Sequence, residues 1–283
     1  MTAARRRVAG LPALDRSLIM GVINVTPDSF SDGGLWMDAE DAVRHGLDLI
    51  AQGADVIDVG GESTRPGAVR IDAEEELRRI TPVVRELAAA GATVSVDTMR
   101  ADVAEHALAA GARVINDVSG GRADPRVLAV AADAEVPFVL MHWREHSATM
   151  QNNTHYDDVV ADIKAEMAPQ IEAALAAGIK ADRLIVDPGL GFSKTGDQNW
   201  SVLSRLEEFH AMGFALLVAA SRKRFIGELL SGEGEGPVPT DKRAGATAAV
   251  TVLAAAAGAW CVRVHEVPAN LDAVRVAARW ADG

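Results

Sequence analysis

A single cysteine, Cys261, among 283 residues rules out an intrachain disulfide. Clustered cations are also scarce: 28 Lys and Arg face 40 Asp and Glu, a formal net charge of -12. Nucleic-acid surfaces need grouped Lys and Arg, so the balance argues against that partner. Arg5, Arg6 and Arg7 form a basic run near the start, but the apolar stretch after them, Leu18 to Val25, is short and interrupted by Gly21 and Asn24, unlike a secretory signal. No hydrophobic run approaches a membrane span, and no Ser/Pro-rich linker or low-complexity tract divides the chain. With 49% hydrophobic residues the expectation is one domain over residues 1–283, with 1–16 a poorly structured lead-in, in the cytoplasm.

What is present is one pattern repeated. LIVD ends at Asp187, VSVD at Asp97, VIND at Asn116 and Asp117, FVLMH at His142 and CVRVH at His265; LIMGVINVT, VIDVGGEST and LLVAAS add further strand-to-turn transitions. An apolar run that ends in a polar residue and a Gly/Pro turn reads as a buried parallel strand delivering a side chain to the sheet's rim. Between strands, Gly53, Gly91, Gly111, Gly178, Gly213 and Gly258 each follow an amphipathic or Ala-rich segment, where a left-handed glycine closes a helix.

Asp38 is a plausible N-cap for a first helix with Ala39, Val43, Leu47 and Ile50 on one face. A second carries Leu77, Ile80, Val84 and Leu87, and Pro82 is expected to kink or break it. About eight alternations of strand and helix fit a closed (β/α)8 TIM barrel or an open doubly wound sheet. Polar tips on nearly all strands favour the barrel, where they converge on one mouth. The loops Thr26 to Trp36 and Gly60 to Arg70 are long for this fold and dense in Gly, Ser, Asp and Pro, as mobile covers are.

Arg263 and His265, two apart on a strand, leave it on the same face. Ser221 and Lys223 repeat the spacing if the chain there stays extended. Such a cationic corner suits a highly charged anion, and loops after strands seven and eight of this fold often hold phosphate. For Arg222 and Arg224 surface salt bridges are the stronger reading. Asp97, Asn116 and Asp187 offer paired acceptors and an amide, which suits a flat heterocycle with an amidine-like edge; an acid/base pair, metal ligation or loop capping are the alternatives. His142 has a weaker case, and His45 reads as structural.

These residues lie in seven motifs: NVTPDSFSDGG (Asn24 to Gly34), GGESTRPGA (Gly60 to Ala68), VDT (Val96 to Thr98), NDVSGG (Asn116 to Gly121), DPGLGFSKT (Asp187 to Thr195), SRKRFIG (Ser221 to Gly227) and RVHEV (Arg263 to Val267). In this order, over nearly the whole chain, they resemble dihydropteroate synthase in its bacterial folate-pathway form. The resemblance implies a (β/α)8 barrel that joins 6-hydroxymethyl-7,8-dihydropterin diphosphate to p-aminobenzoate, uses Mg2+, and acts as a homodimer whose aminobenzoate site sulfonamides contest. It assigns the pterin to Asp97, Asn116, Met141, Asp187 and Lys223, the diphosphate and metal to Asn24, Arg65, Arg263 and His265, with Asn24 as metal ligand, and p-aminobenzoate to Thr64, Pro66, Phe192 and Ser221. Asp187, Lys223, Arg263 and His265 are the expected catalytic set; Asp187→Asn or Arg263→Ala should leave a folded protein with much reduced turnover. Ala219 and Ala220 before Ser221, Glu266 for a usual Asp, and Cys261 depart from the family pattern without removing a reacting group. A pterin-dependent methyltransferase domain, a Schiff-base lyase using Lys223 and a non-catalytic pterin binder are the competing readings.

Overall fold

The computed structural model describes residues 6–26, 39–65, 67–232 and 234–282. Eight parallel strands close into a barrel in sequence order: β1 (Leu18–Asn24), β2 (Val56–Gly60), β3 (Val94–Asp97), β4 (Val114–Asp117), β5 (Phe138–Met141), β6 (Leu184–Asp187), β7 (Ala215–Val218) and β8 (Cys261–Val264). β8 returns to β1 with Leu18 opposite Cys261 and Met20 opposite Arg263. The open sheet is thereby excluded. The helices are α1 (Ala39–Ala51), α2 (Ala73–Ala89), α3 (Ala101–Ala109), α4 (Arg126–Asp133), α5 (Val159–Ala176), α6 (Gly196–Ser204), α7 (Leu206–His210), α8 (Arg224–Leu230), α9 (Ala244–Ala256) and α10 (Val267–Asp282).

The period of two along each strand builds the site. Leu18, Met20, Val56, Val114, Val139, Ile185 and Cys261 form an apolar layer inside the barrel, while Ile19, Ile57, Ile115, Val186 and Val262 pack outward against the helices. One step of two further along, the inward positions become Asp58, Asn116, Met141, Asp187 and Arg263. A dry floor therefore lies under a polar mouth at the strands' C-terminal ends.

The six glycines expected to close helices all adopt φ between 86° and 114°. Behind α3, α5 and α9 the amide one residue past the glycine reaches back to the last turn, as Ala112 N–H to Ala107 C=O at 2.9 Å. In α4 the equivalent position is Glu135, with φ 51°, which no sequence signal announced.

Two expectations are corrected, a break at Pro82 and an inward place for Leu47. α2 runs unbroken through Pro82, because Ile80, Val83, Val84 and Leu87 are fully buried on its barrel face and their packing outweighs the roughly 3 kcal/mol a proline costs. Leu47 is 42% exposed: α1 instead buries Ala42, Gly46 and Leu49, since Gly46 lets the helix approach until an added Cβ would stand 2.7 Å from a Leu87 methyl. The described part of the lead-in is irregular yet fastened, with Val8 buried in the inner cluster, Ala9 N–H bonded to Asp182 C=O at 2.9 Å and Arg16 forked on Asp55 at 2.7 and 3.0 Å. The Asp38 cap and, apart from Thr26, the loop Thr26 to Trp36 lie outside the described residues.

Candidate active site

The mouth is organised by a buried ion cluster. Arg263 Nε donates to Asp58 Oδ2 at 2.6 Å and an Nη to Asp97 Oδ2 at 2.8 Å, while Asn116 Nδ2 donates to the same Asp58 oxygen at 3.0 Å. Strands β2, β3, β4 and β8 are thus joined through four side chains. Burial pushes the Asp97 carboxyl up to about 7, partly opposed by Arg263. Arg263 is therefore held among carboxylates and does not stand as a free cation.

Across the mouth, Asp187 is buried and accepts from Gly189 N–H at 2.7 Å. Burial raises its carboxyl above the usual range, and the positive field of Lys223, followed by Lys194 and Arg263, opposes this. Lys223 is pulled down to about 8 by burial against the pull of Asp187; its ammonium donates to Leu190 C=O and lies 4.9 Å from the Phe192 ring centre. Asp187 and Arg263, far apart in the chain, thus meet at the same barrel mouth, near enough for each to act on the other's charge. Met141 packs with Met99 and Val118, and with the partly buried Phe192 and Trp143, into an apolar wall beside these charges.

Ser221 and Lys223 do not continue strand β7. Arg222 between them has φ 59°, so the chain turns, yet both side chains still face the site: Ser221 Oγ lies 3.1 Å from His265 Nδ1 and accepts from His265 N–H at 3.2 Å. His265, unlike Arg263, is not a cation. Burial and the fields of Arg263, Arg222, Arg65 and Lys223 lower it to about 3, leaving a neutral imidazole at neutral pH. The surface-pair reading holds for Arg222, bonded to Glu266 at 2.6 Å, and for Arg224, bonded to Glu228 at 2.7 Å. His142 is fully buried, bonded to Glu166 at 2.9 Å and to Lys194 at 3.1 Å.

Asn24 ends β1 opposite Gly60. Thr64 and Arg65 sit on the loop after β2, which is tied down: Glu62 accepts from Arg70 at 3.1 Å, Arg100 at 3.0 Å and Ile71 N–H at 3.2 Å, and Ser147 Oγ donates to Thr64 C=O at 3.1 Å. Pro66 lies outside the described residues. Asp117, next to Asn116 but facing the other way, caps its own loop through Ser119 and Gly121 at 2.7 and 2.8 Å. Two residues escaped the sequence reading. Asp58 had a signal, a carboxylate midway along the apolar run VIDVG; Lys194 sat inside a quoted motif but had none that marked it as buried.

The turn at Gly189 gives a test. Its φ is +68° and an added Cβ would stand 2.5 Å from the His142 backbone oxygen, which cannot move without the end of β5. Gly189→Ala should cost about 1–3 kcal/mol of stability and displace the rim, read as a lower Tm; an unchanged Tm would contradict the packing.

A family profile described as pterin binding enzyme matches residues 20–265. Fold, profile and mouth together define a pterin-binding (β/α)8 enzyme. The chain is 54% identical over 263 residues to the dihydropteroate synthase of Mycobacterium leprae (strain TN), covering 93% of each chain, and 43% identical over 259 residues to that of Escherichia coli (strain K12), covering 91% and 89%. Among solved structures it matches Yersinia pestis dihydropteroate synthase in complex with a sulfonamide drug (TM-score 0.90, 38% identity, 100% of both chains) and Xanthomonas albilineans dihydropteroate synthase with 7,8-dihydropteroate (TM-score 0.84, 43% identity, 98% of each). The chain belongs to the dihydropteroate synthase family.

Proposed function

We propose that this mouth condenses 6-hydroxymethyl-7,8-dihydropterin diphosphate with p-aminobenzoate to give 7,8-dihydropteroate and diphosphate, a folate-biosynthetic transfer of a pterin-methyl group to an arylamine. What supports the reading is that Asp187 lies in the field of Lys223 at the same barrel mouth where Arg263 bonds Asp58 and Asp97 and Asn116 bonds Asp58, with the Met141 and Phe192 apolar cluster beside them.

In this reading Asp97, Asn116 and Asp187 take the amidine-like edge of the pterin, Lys223 donates to a ring acceptor, and Met141 packs on its face. The buried carboxylate of Asp187 stabilises the positive charge left on the exocyclic methylene as the C–O bond breaks. Arg65, Arg263 and His265 receive the departing diphosphate; a guanidinium has five donors, so two carboxylate bonds leave Arg263 capacity for a phosphate oxygen. Thr64, Pro66, Phe192 and Ser221 hold p-aminobenzoate, whose neutral amine attacks the methylene carbon and then loses a proton. No protein nucleophile is needed.

Mg2+ fits this site as an ion that accompanies the diphosphate. Among the described residues no three His, Cys, Asp or Glu side chains group to hold a metal, and the residue that would hold Mg2+ is Asn24, through its neutral amide oxygen, a hard donor of the kind that ion takes. When bound it would neutralise charge on the leaving group. Incubating the purified protein with both substrates and Mg2+ should yield dihydropteroate and one diphosphate per turnover. A folded protein that forms neither would overturn the assignment.

The neutral His265 gives a second check. An arriving anion favours the charged imidazolium, so NMR should show the His265 pKa rising from about 3 when inorganic diphosphate is added. An unchanged titration would remove His265 from the diphosphate site.

A homodimer is part of the proposal: Leu253 on α9 and Val276 and Trp280 on the adjoining α10 are 69%, 57% and 84% exposed, a face apolar enough to seek cover. Light scattering should give twice the chain mass, falling to one for Trp280→Glu; a monomeric wild type would refute it. Among the described residues no helix is long and apolar enough to cross a membrane. The cytoplasmic placement rests on the single, buried Cys261.

A further inference from the structure

After β6 the rim loop 188–193 has one internal backbone bond, Phe192 N–H to Gly189 C=O at 3.1 Å, and is otherwise held by side chains. Lys194 Nζ donates to the carbonyls of Gly189 and Phe192, both at 3.0 Å, and to His142 Nδ1 at 3.1 Å. Lys223 donates to Leu190 C=O, Gln151 to Gly191 C=O at 3.2 Å, and Tyr156 to Ser193 C=O at 3.0 Å. Five consecutive carbonyls, 189 to 193, are thus taken by four side chains. On the donor side, Gly189 N–H goes to Asp187 and Gly191 N–H to Asn199 Oδ1 at 2.6 Å.

Lys194 is the unusual member. It is 4% exposed, and an ammonium is costly to bury where an apolar side chain would fill the space. Its neighbours are arranged to hold it: His142 presents Nδ1 as an acceptor because its Nε2 faces Glu166, which Arg144 in turn grips through a 2.9 Å bond. Burial pulls Lys194 down to about 7 and Asp187 opposes the fall. The two carbonyls it clamps bracket the turn that sets the Phe192 ring beside Lys223.

We propose that Lys194 is a positioning residue for the reaction: by fastening the Gly189 and Phe192 carbonyls from beneath, it fixes the Phe192 wall of the arylamine site relative to Lys223 and Asp187. The substrate named here rests on the function proposed above; the fastening of the loop does not.

Lys194→Met keeps the apolar stem and removes the donors. Hydrogen exchange should accelerate by about tenfold or more at the amides of Gly191 and Phe192 while the β6 amides stay protected. The KM for p-aminobenzoate should rise about tenfold, and the dissociation constant of a pterin ligand, held mainly from the strands, should change less than about threefold. Phe192→Ala combined with Lys194→Met should be clearly non-additive in that KM, since both act through one ring. Wild-type exchange at the loop, acceleration spread evenly over the barrel, or additive KM effects would each overturn the proposal. Should Lys194→Met fail to fold, Lys194→Gln, too short to bridge both carbonyls, carries the same readouts. Exchange needs no substrate, so an inactive wild type would refute the assigned reaction and leave the loop result to decide the role of Lys194.

Discussion

Asp187→Asn should leave a folded barrel whose kcat/KM is lower by roughly 10²- to 10³-fold, the equivalent of about 3–4 kcal/mol of lost transition-state stabilisation. Asparagine keeps a carbonyl oxygen where Asp187 Oδ1 accepts from Gly189 N–H at 2.7 Å, so the turn survives. What goes is charge. Lys223 and Lys194 both lose the carboxylate that holds their pKa up, and in the proposed reaction the positive charge developing on the pterin loses the buried carboxylate assigned to stabilise it. In the wild type, Lys194 at about 7 binds fewer protons folded than unfolded between that value and the ordinary lysine range. Stability from this group therefore rises with pH through that window. In Asp187→Asn the folded pKa is lower still, so the rise should begin at a lower pH. Steady-state kinetics over a range of pterin and p-aminobenzoate concentrations, with circular dichroism as the folding control, and urea unfolding across pH would check both parts. Near-wild-type turnover would remove Asp187 from the chemistry.

Arg263→Ala should do more than silence the enzyme. The side chain bonds two buried carboxylates, Asp58 and Asp97, at 2.6 and 2.8 Å, and removing one member of a buried ionic cluster costs about 3–5 kcal/mol because the remaining carboxylates are left without a compensating cation. The structure thus changes the expectation from the sequence, in which folding was not at stake. The signature is in the pH dependence. Asp97 already stands at about 7, and without the guanidinium it rises further. A carboxyl with a raised folded pKa binds more protons folded than unfolded, so its contribution is intact below the ordinary aspartate value and lost as pH rises through the folded one. The variant's deficit should accordingly be largest at about pH 8 and shrink toward pH 5. Adding Asp97→Asn to Arg263→Ala should return part of the lost stability. A pH-independent deficit in urea unfolding would show that Arg263 acts through packing alone.

The local pattern determined the architecture because it repeats. Apolar runs ending in a polar tip, each followed by a helix closed by a left-handed glycine, leave few topologies open, and short-range sterics fix each unit without reference to its neighbours. The inward direction of Arg263 and His265 was equally legible, since a strand's period of two needs no tertiary information. What the sequence could not supply was electrostatic partnership. Whether Arg263 meets solvent or Asp58, whether His265 is charged, and whether Lys194 is buried depend on which strands the closed barrel places side by side. The same limit applied to packing: that α2 continues through Pro82 and that Leu47 faces outward are decided by the surface each helix meets, for α1 the gap that Gly46 leaves for Leu87. Chain-local geometry set the elements and their period, and the fields and contacts that tune the mouth arose only when distant segments shared one enclosed, poorly solvated space.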